Sequence, residues 1–273
     1  MRLLQHKTEA YWFYRVLSLV YDRWVNPLFW TPAMREAALA HGALDAPGLR
    51  VVDVGAGTGF TTEGIVAAVP AEQVTMIDQS PHQLARARAK PALARCDKRL
   101  GDAEALPLPD DAFDRYVSAG SIEYWPDPQR GVAEAYRVLR EGGRALLVGP
   151  VRPANRAVRA LAETWMLFPS TAEYRAWFER AGFTDVELVP LAPGWYRSRR
   201  GPYAVAVSAR KPAAGPSPAA VGEPAERLGA PAAGGERVRR LARFALGSLA
   251  GAAFLPLAAV LAVRARLQER GAR

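Results

Sequence analysis

From Leu49 onward, short apolar runs alternate with amphipathic stretches at regular spacing. Val51-Val52-Asp53-Val54 reads as a short buried strand and Val74-Thr75-Met76-Ile77-Asp78 as a second. A glycine-rich turn and a helix over 60–69 lie between them, and a second helix runs over 81–90. Further strands are expected at 115–119, 144–149, 184–190 and 203–209, with helices over 129–139 and 171–181. Alternation of this kind predicts an α/β fold, a doubly wound and mostly parallel sheet with its site at the carboxyl ends of the strands.

The flanks follow other patterns. Residues 11–30 hold Tyr11, Trp12, Phe13, Tyr14, Tyr21, Trp24, Phe29 and Trp30, interrupted by Arg15, Asp22 and Arg23. Those charges exclude a membrane span. The stretch reads as an amphipathic helix ending near Asn26-Pro27, either packed on the core or serving as an interfacial helix or lid. Residues 211–236 are mostly Pro, Ala and Gly and read as a solvated linker. Residues 244–263 then run for twenty positions without a charge. At 1.5 Å per residue that is about 30 Å, the thickness of a bilayer's hydrocarbon core. Arg237, Arg239, Arg240 and Arg243 precede this run and Arg264, Arg266 and Arg270 follow it, so flanking charge does not orient it. Gly247 and Gly251 have the small-xxx-small spacing through which two such spans associate, which implies at most a weak homodimer. The expected organisation is an aromatic helical segment over 1–40, an α/β domain over 41–210, a linker over 211–236 and a single C-terminal transmembrane anchor over 237–273.

Composition narrows the chemistry. The net charge is +9, of which residues 211–273 supply +6, with ten basic groups against four Glu. A nucleic-acid binder needs its basic surplus on a folded surface with aromatics placed to stack, whereas here the surplus brackets an apolar segment. One cysteine, Cys96, excludes a disulfide framework and a cysteine zinc site, and His6, His41 and His82 lie too far apart to suggest a metal cluster. Met1 to Glu9 lacks the apolar core of a secretory signal, and Glu9 comes early for a transit peptide.

The strongest local signal is Asp53-Val54-Gly55-Ala56-Gly57-Thr58-Gly59. Phe60 stands where a dinucleotide fingerprint needs its third glycine, which disfavours a nicotinamide dehydrogenase. The tighter G-x-G-x-G spacing behind a strand-end acid is that of class I methyltransferases, in which glycine lets the backbone approach the methionine portion of S-adenosylmethionine. The glycines alone also suit an ordinary strand–helix turn. Two further acids change the balance. Asp78 ends the second strand, where a carboxylate accepts both ribose hydroxyls. Asp102, in Gly101-Asp102-Ala103-Glu104, follows a third strand or loop, where it is placed to accept from the adenine amino group with the Ala103 amide near the ring. Gln79 and Ser118 are counted with Asp53, Gly55, Gly57, Gly59, Asp78, Asp102 and Ala103 as cofactor-binding candidates. Residues 137–144 supply the helix–turn–strand found after the fourth strand of such folds, and the sheet is expected to be the seven-stranded one of class I methyltransferases.

Other segments bear on the acceptor. Gln5-His6-Lys7-Thr8-Glu9-Ala10-Tyr11-Trp12-Phe13-Tyr14-Arg15, Asp78-Gln79-Ser80-Pro81-His82-Gln83-Leu84-Ala85 and, above all, Tyr116-Val117-Ser118-Ala119-Gly120-Ser121-Ile122-Glu123-Tyr124-Trp125-Pro126-Asp127-Pro128-Gln129-Arg130-Gly131 carry a resemblance. Trp165-Met166-Leu167-Phe168-Pro169 and Gly194-Trp195-Tyr196-Arg197 belong to the same pattern. With these segments the chain resembles the plastid 2-methyl-6-phytylhydroquinone and 2-methyl-6-solanylhydroquinone methyltransferases of tocopherol and plastoquinone synthesis, over residues 5–210 and on to the C-terminal span. Plant members need a transit peptide, so the chain is expected to be a prokaryotic relative or a mature form, resident in the cell membrane or the plastid envelope. The resemblance implies methyl transfer from S-adenosylmethionine to a ring carbon ortho to a phenolic hydroxyl of a prenylated quinol, without a metal. The protein must then supply alignment and a base for the hydroxyl. Glu123, just past the fourth strand, is the first candidate, and Tyr124, Asp22 and His82 follow. The competing readings are a methyltransferase of another lipid-like acceptor, such as a naphthoquinol or sterol, and a non-catalytic S-adenosylmethionine-binding membrane module.

Overall fold

The computed structural model describes residues 29–164, 166–196 and 201–223, with the isolated positions 238, 241, 242 and 245. Seven strands, β1 Val51–Val54, β2 Val74–Asp78, β3 Asp97–Leu100, β4 Phe113–Ala119, β5 Leu139–Pro150, β6 Thr184–Leu191 and β7 Ala204–Arg210, form one sheet in the order β3-β2-β1-β4-β5-β7-β6. The first five strands are parallel, and β7 runs antiparallel between β5 and β6. The described helices are α1 Pro32–Leu39, α2 Phe60–Ile65, α3 Pro81–Arg88, α4 Pro128–Val138, α5 Arg156–Glu163 and α6 Thr171–Arg180.

The two-residue period of the strands divides the interior into two cores. Val52, Val54, Leu147 and Val207 meet Val132 and Tyr136 of α4 and Tyr174 and Phe178 of α6. Val51, Leu146, Val148 and Ala206 face the opposite way and meet Met34 of α1, Ile65 of α2 and Ala87 of α3. Helix starts follow capping chemistry: the side chains of Thr31, Ser80, Asp127 and Ser170 accept from the first-turn amides of α1, α3, α4 and α6.

Of the strand or loop expected before Asp102, the structure has the strand, β3, exposed along the sheet edge. Other expectations are corrected. Helix α2 stops at Ile65 rather than at 69, ahead of Pro70, whose ring disfavours helical backbone at Val69. Strand β5 begins at Leu139 directly after α4, and the expected turn is a bulge over 140–143 within the strand, where Gly142 has φ +76. The Gly142 N–H donates to Lys211 O and the Lys211 N–H to Gly143 O, both at 2.9 Å, so the chain after β7 pins this bulge.

The expected solvated linker is not solvated where it begins. The Lys211 side chain is fully buried, its Nζ 2.7 Å from Asp111 Oδ1, 2.8 Å from Gly215 O and 4.6 Å from the Tyr136 ring centre. Tyr136 Oη donates to Ala213 O at 3.3 Å and Ser217 Oγ to Ala181 O at 2.9 Å. The aromatic segment up to residue 28 lies outside the described residues, as does the apolar run 244–263 apart from position 245. Among the described residues no helix is long and apolar enough to cross a membrane.

Candidate active site

One cavity opens at the carboxyl ends of β1, β2, β4 and β5. The turn after β1 makes its floor, with the Gly55 and Ala56 N–H groups donating to Ile77 O at 2.8 and 3.1 Å. The Gly57 N–H donates to Asp78 Oδ2 and the Ser80 N–H to Asp78 Oδ1, both at 2.8 Å. These bonds tie the glycine turn to the acid ending β2. Burial pushes the Asp78 carboxyl up to about 6, against the pull of those two amides. Each oxygen retains acceptor capacity beyond its amide partner.

Gly57 lies at φ +56, and a Cβ there would find nothing closer than Gln83 Nε2 at 4.0 Å. The backbone is therefore bare toward the cavity, a cradle that any side chain would fill. Across it Gln79, Asp102 and Ala103 line the wall. Asp102 Oδ1 accepts from the Glu104 N–H at 2.9 Å, which shapes this loop. Bare glycine backbone, a strand-end carboxylate and a second acidic loop fit the methionine, ribose and adenine portions of S-adenosylmethionine in turn.

Three expected cofactor-binding residues are not on the cavity wall. Asp53 is buried beneath the turn, where its Oδ2 accepts from Thr62 Oγ1 at 2.6 Å and its Oδ1 has no partner among the described residues. Burial raises this carboxyl to about 7, opposed by the Thr62 hydroxyl and aided by Asp78. The acid points down because it braces α2 against β1. Gly59, at φ +87, faces Leu93 and Met76 in the core. Ser118 is buried, with its Oγ 2.7 Å from Ser121 Oγ. Gly55, Gly57, Asp78, Gln79, Asp102 and Ala103 do come together on the wall.

Glu123 and Tyr124 stand on a single 3-10 turn, Ile122–Tyr124, beyond β4, and both line the cavity. Glu123 is 9% exposed, and its Oε2 has no hydrogen-bond partner among the described residues. Burial raises its carboxyl to about 7. The Leu167 N–H fixes the turn by donating to Glu123 O at 3.0 Å. His82 is exposed on α3 and does not line the cavity. Asp22, Trp165 and Arg197 lie outside the described residues.

Other cavity residues had no separate signal. Glu104, fully buried, accepts from the Asp127 N–H at 2.7 Å and so joins the β3 loop to the cap of α4. Gln83 lines the wall beneath Gly57. Phe29, Trp30 and Tyr203 give the mouth an aromatic side, with Trp30 Nε1 donating to Thr61 Oγ1 at 3.3 Å and Tyr203 edge-on to Trp195 at 5.6 Å. Trp30 closed the aromatic run in the sequence. Neither Tyr203 nor Glu104 stood out from its neighbours there.

Comparison with known proteins follows the same lines. Residues 52–147 match the family described as "Methyltransferase domain". The chloroplastic 2-methyl-6-phytyl-1,4-hydroquinone methyltransferase of Arabidopsis thaliana is 53% identical over 257 residues, covering 93% of this chain and 75% of that protein. The chain belongs to this methyltransferase family. A family member of the same name from Spinacia oleracea is 48% identical over 273 residues, covering 99% of this chain and 78% of its own. A SAM-dependent methyltransferase from Thermotoga maritima shares the fold with a TM-score of 0.56 at 23% identity, over 74% of this chain and 99% of that one. The chain is an S-adenosylmethionine-dependent methyltransferase, of the class I fold expected from its glycine turn and acids.

Proposed function

We propose that this enzyme methylates a ring carbon of a prenylated benzoquinol from a position on the membrane surface, with Glu123 as the general base. One observation carries the assignment of the base: a buried carboxylate oxygen without a hydrogen-bond partner among the described residues, on the wall of the cavity that also holds the bare Gly57 backbone. The relatives' names supply the acceptor class.

S-adenosylmethionine, when bound, supplies an electrophilic methyl group on its sulfonium. Asp78, Gln79, Asp102, Ala103 and the Gly55–Gly57 backbone hold the donor. Glu123 accepts the phenolic proton, which raises electron density on the ortho carbon. That carbon would bond to the methyl as the carbon–sulfur bond breaks, its own proton would pass to solvent to restore the aromatic ring, and Glu123 would return its proton to the phenolate oxygen. Tyr124 lies beside Glu123 on the same turn and orients the hydroxyl. The aromatic side of the mouth offers planar surfaces for the quinol ring and the first carbons of its tail. Asp53, Gly59 and Ser118 support this wall from behind.

The run 244–263 is the membrane anchor of this reading, in the cell membrane or the plastid envelope, and Gly247 and Gly251 make a weak dimer contact within it. Anchoring suits an acceptor whose tail stays in the bilayer, because a tether raises the local concentration of enzyme at the headgroup. The test is methyl transfer from labelled S-adenosylmethionine by the full chain in detergent to a panel of prenylated benzoquinols and naphthoquinols. Label on a benzoquinol ring carbon is the expected result. Transfer to naphthoquinols alone replaces the acceptor, and donor binding without any transfer removes the catalytic reading. Deletion of 237–273 is expected to leave transfer to a short-chain quinol intact and to release the protein from membranes. A truncated chain that still sediments with them removes the anchor.

A further inference from the structure

We propose that the domain rests on the bilayer with its carboxyl edge, and that residues 211–223 are a strap that carries the chain back to that edge before it enters the membrane. This rests on the anchored reading above. Two independent features lead to it.

The first is the path of the chain. Strand β7 is antiparallel to β5, with Ala204 opposite Pro150 and Arg210 opposite Arg144. The catalytic fold therefore ends at the amino edge of the sheet, about 20 Å from the cavity at roughly 3.3 Å per strand residue. Twenty residues separate 223 from the apolar run, and a chain of that length spans only about 25 Å on average as a flexible coil or about 30 Å as a helix. Where the tether starts thus decides which edge meets the membrane. The strap moves that start. It is clamped at the amino edge through Lys211, Ser217 and Pro218, the last packed under Gly182, and then climbs along α4. At its far end Gly222 O accepts from the Arg130 guanidinium in the first turn of α4. The same guanidinium donates through Nε to Glu104 O, in the cavity wall, at 2.6 Å. Residue 223 hence leaves the domain one side chain away from the active site.

The second is the surface at that edge. Among the described residues between 29 and 223, the exposed large hydrophobics are Leu100, 55% exposed, and Val158, 53% exposed. Leu100 ends parallel strand β3, and Val158 sits on α5, which follows the carboxyl end of β5. On α5 the exposed Arg156 lies two residues from Val158. An exposed apolar residue on a short amphipathic helix whose other faces carry Arg156 and Arg159 suits the boundary between headgroups and acyl chains. The loop that carries α5 also reaches the base, through the Leu167 N–H on Glu123 O.

The experiment uses the full chain with vesicles of phosphatidylcholine and phosphatidylglycerol, wild type against Ser217→Ala/Pro218→Gly, which loosens the strap, and Val158→Asp, which charges α5. Hydrogen exchange reads the strap through its Gly215 and Ala219 amides, which donate to the Asp111 carboxylate and to Ser217 Oγ. Segment 212–223 is expected to exchange at least about tenfold more slowly in wild type than in the strap variant. Both variants should keep transfer to a short-chain quinol in detergent within about twofold, while transfer to a long-chain quinol in vesicles falls at least about fivefold. Unprotected 212–223 in wild type overturns the strap, and undiminished vesicle activity in both variants overturns the facing. A wild-type chain that does not bind vesicles at all removes the anchored reading and the facing with it, and is told apart by 212–223 staying protected.

Discussion

The acid–base role proposed for Glu123 rests on its surroundings rather than on its residue type. An ordinary glutamate titrates near 4.5 and is a poor proton acceptor at neutral pH, whereas burial lifts this one to about 7. Glu123→Gln keeps the shape of the turn and removes the base, so kcat is expected to fall by about 10²–10⁴ with the S-adenosylmethionine dissociation constant unchanged. Calorimetry beside single-turnover rates checks both halves, and a rate within tenfold of wild type excludes the base. The pH dependence has opposite signs for activity and stability. Catalysis needs the carboxylate, so kcat should rise about tenfold per pH unit up to about 7 and then level. A carboxyl raised in the folded state stabilises fully below its unfolded value, and that share is lost as pH rises through the folded value. Glu123, Asp53 and Asp78 all shift this way, to about 7, 7 and 6. The ligand-free protein should therefore melt higher at about pH 5.5 than at about pH 7.5, while its activity runs the other way. The position of Glu123 on the cavity wall was legible because its place after the fourth strand sets it at the sheet's edge. Asp53 was misread because sequence gives the end of a strand and not the direction of its last side chains.

At the scale of the element, the turn Gly55–Gly59 divides its labour between two of its glycines. Gly57 faces the cavity over open space, and Gly59 faces a core already filled by Leu93 and Met76. The same motif should thus respond in two ways. Gly57→Arg fills the cradle and is expected to abolish donor binding in calorimetry, with a stability loss of about 1–2 kcal/mol from the left-handed backbone. Gly59→Ala adds only a methyl group, but it combines a φ of +87 with a collision against the Leu93 side chain. Overpacking and backbone strain together should lower unfolding free energy by about 2–4 kcal/mol in urea. Equal stability losses for the two variants would mean that the turn has a single role. Spacing identified the motif, because close backbone approach demands glycine wherever it occurs. It did not tell which glycine meets ligand and which meets core, since that depends on the neighbours brought in from β2 and the 3-10 turn Pro91–Leu93.

At the scale of the whole molecule, the alternation of apolar runs specified the sheet, and the region after β7 escaped notice for a physical reason. Its anchoring contacts are made mainly by backbone carbonyls, those of Ala213, Gly215 and Gly222, which every residue carries. A Pro/Ala/Gly stretch therefore looks the same whether it is docked or solvated. The fully buried side chain that commits it is Lys211, with its ammonium bonded to Asp111 and Gly215 O and set over the Tyr136 ring. Such a lysine contributes both volume and charge, and two substitutions separate them. Lys211→Ala empties the site, and a loss of about 2–4 kcal/mol is expected from the cavity and the missing contacts. Lys211→Met fills nearly the same volume without charge and escapes the cost of burying an ammonium, so it should lose less than about 1.5 kcal/mol. The partner carboxylate is not stranded in either variant, because the Asp111 side chain is 34% exposed and rehydrates. Urea unfolding of both variants decides the matter. A Met variant as unstable as the Ala variant would show that the ion pair, rather than the packing of the lysine stem, holds the end of the catalytic fold in place.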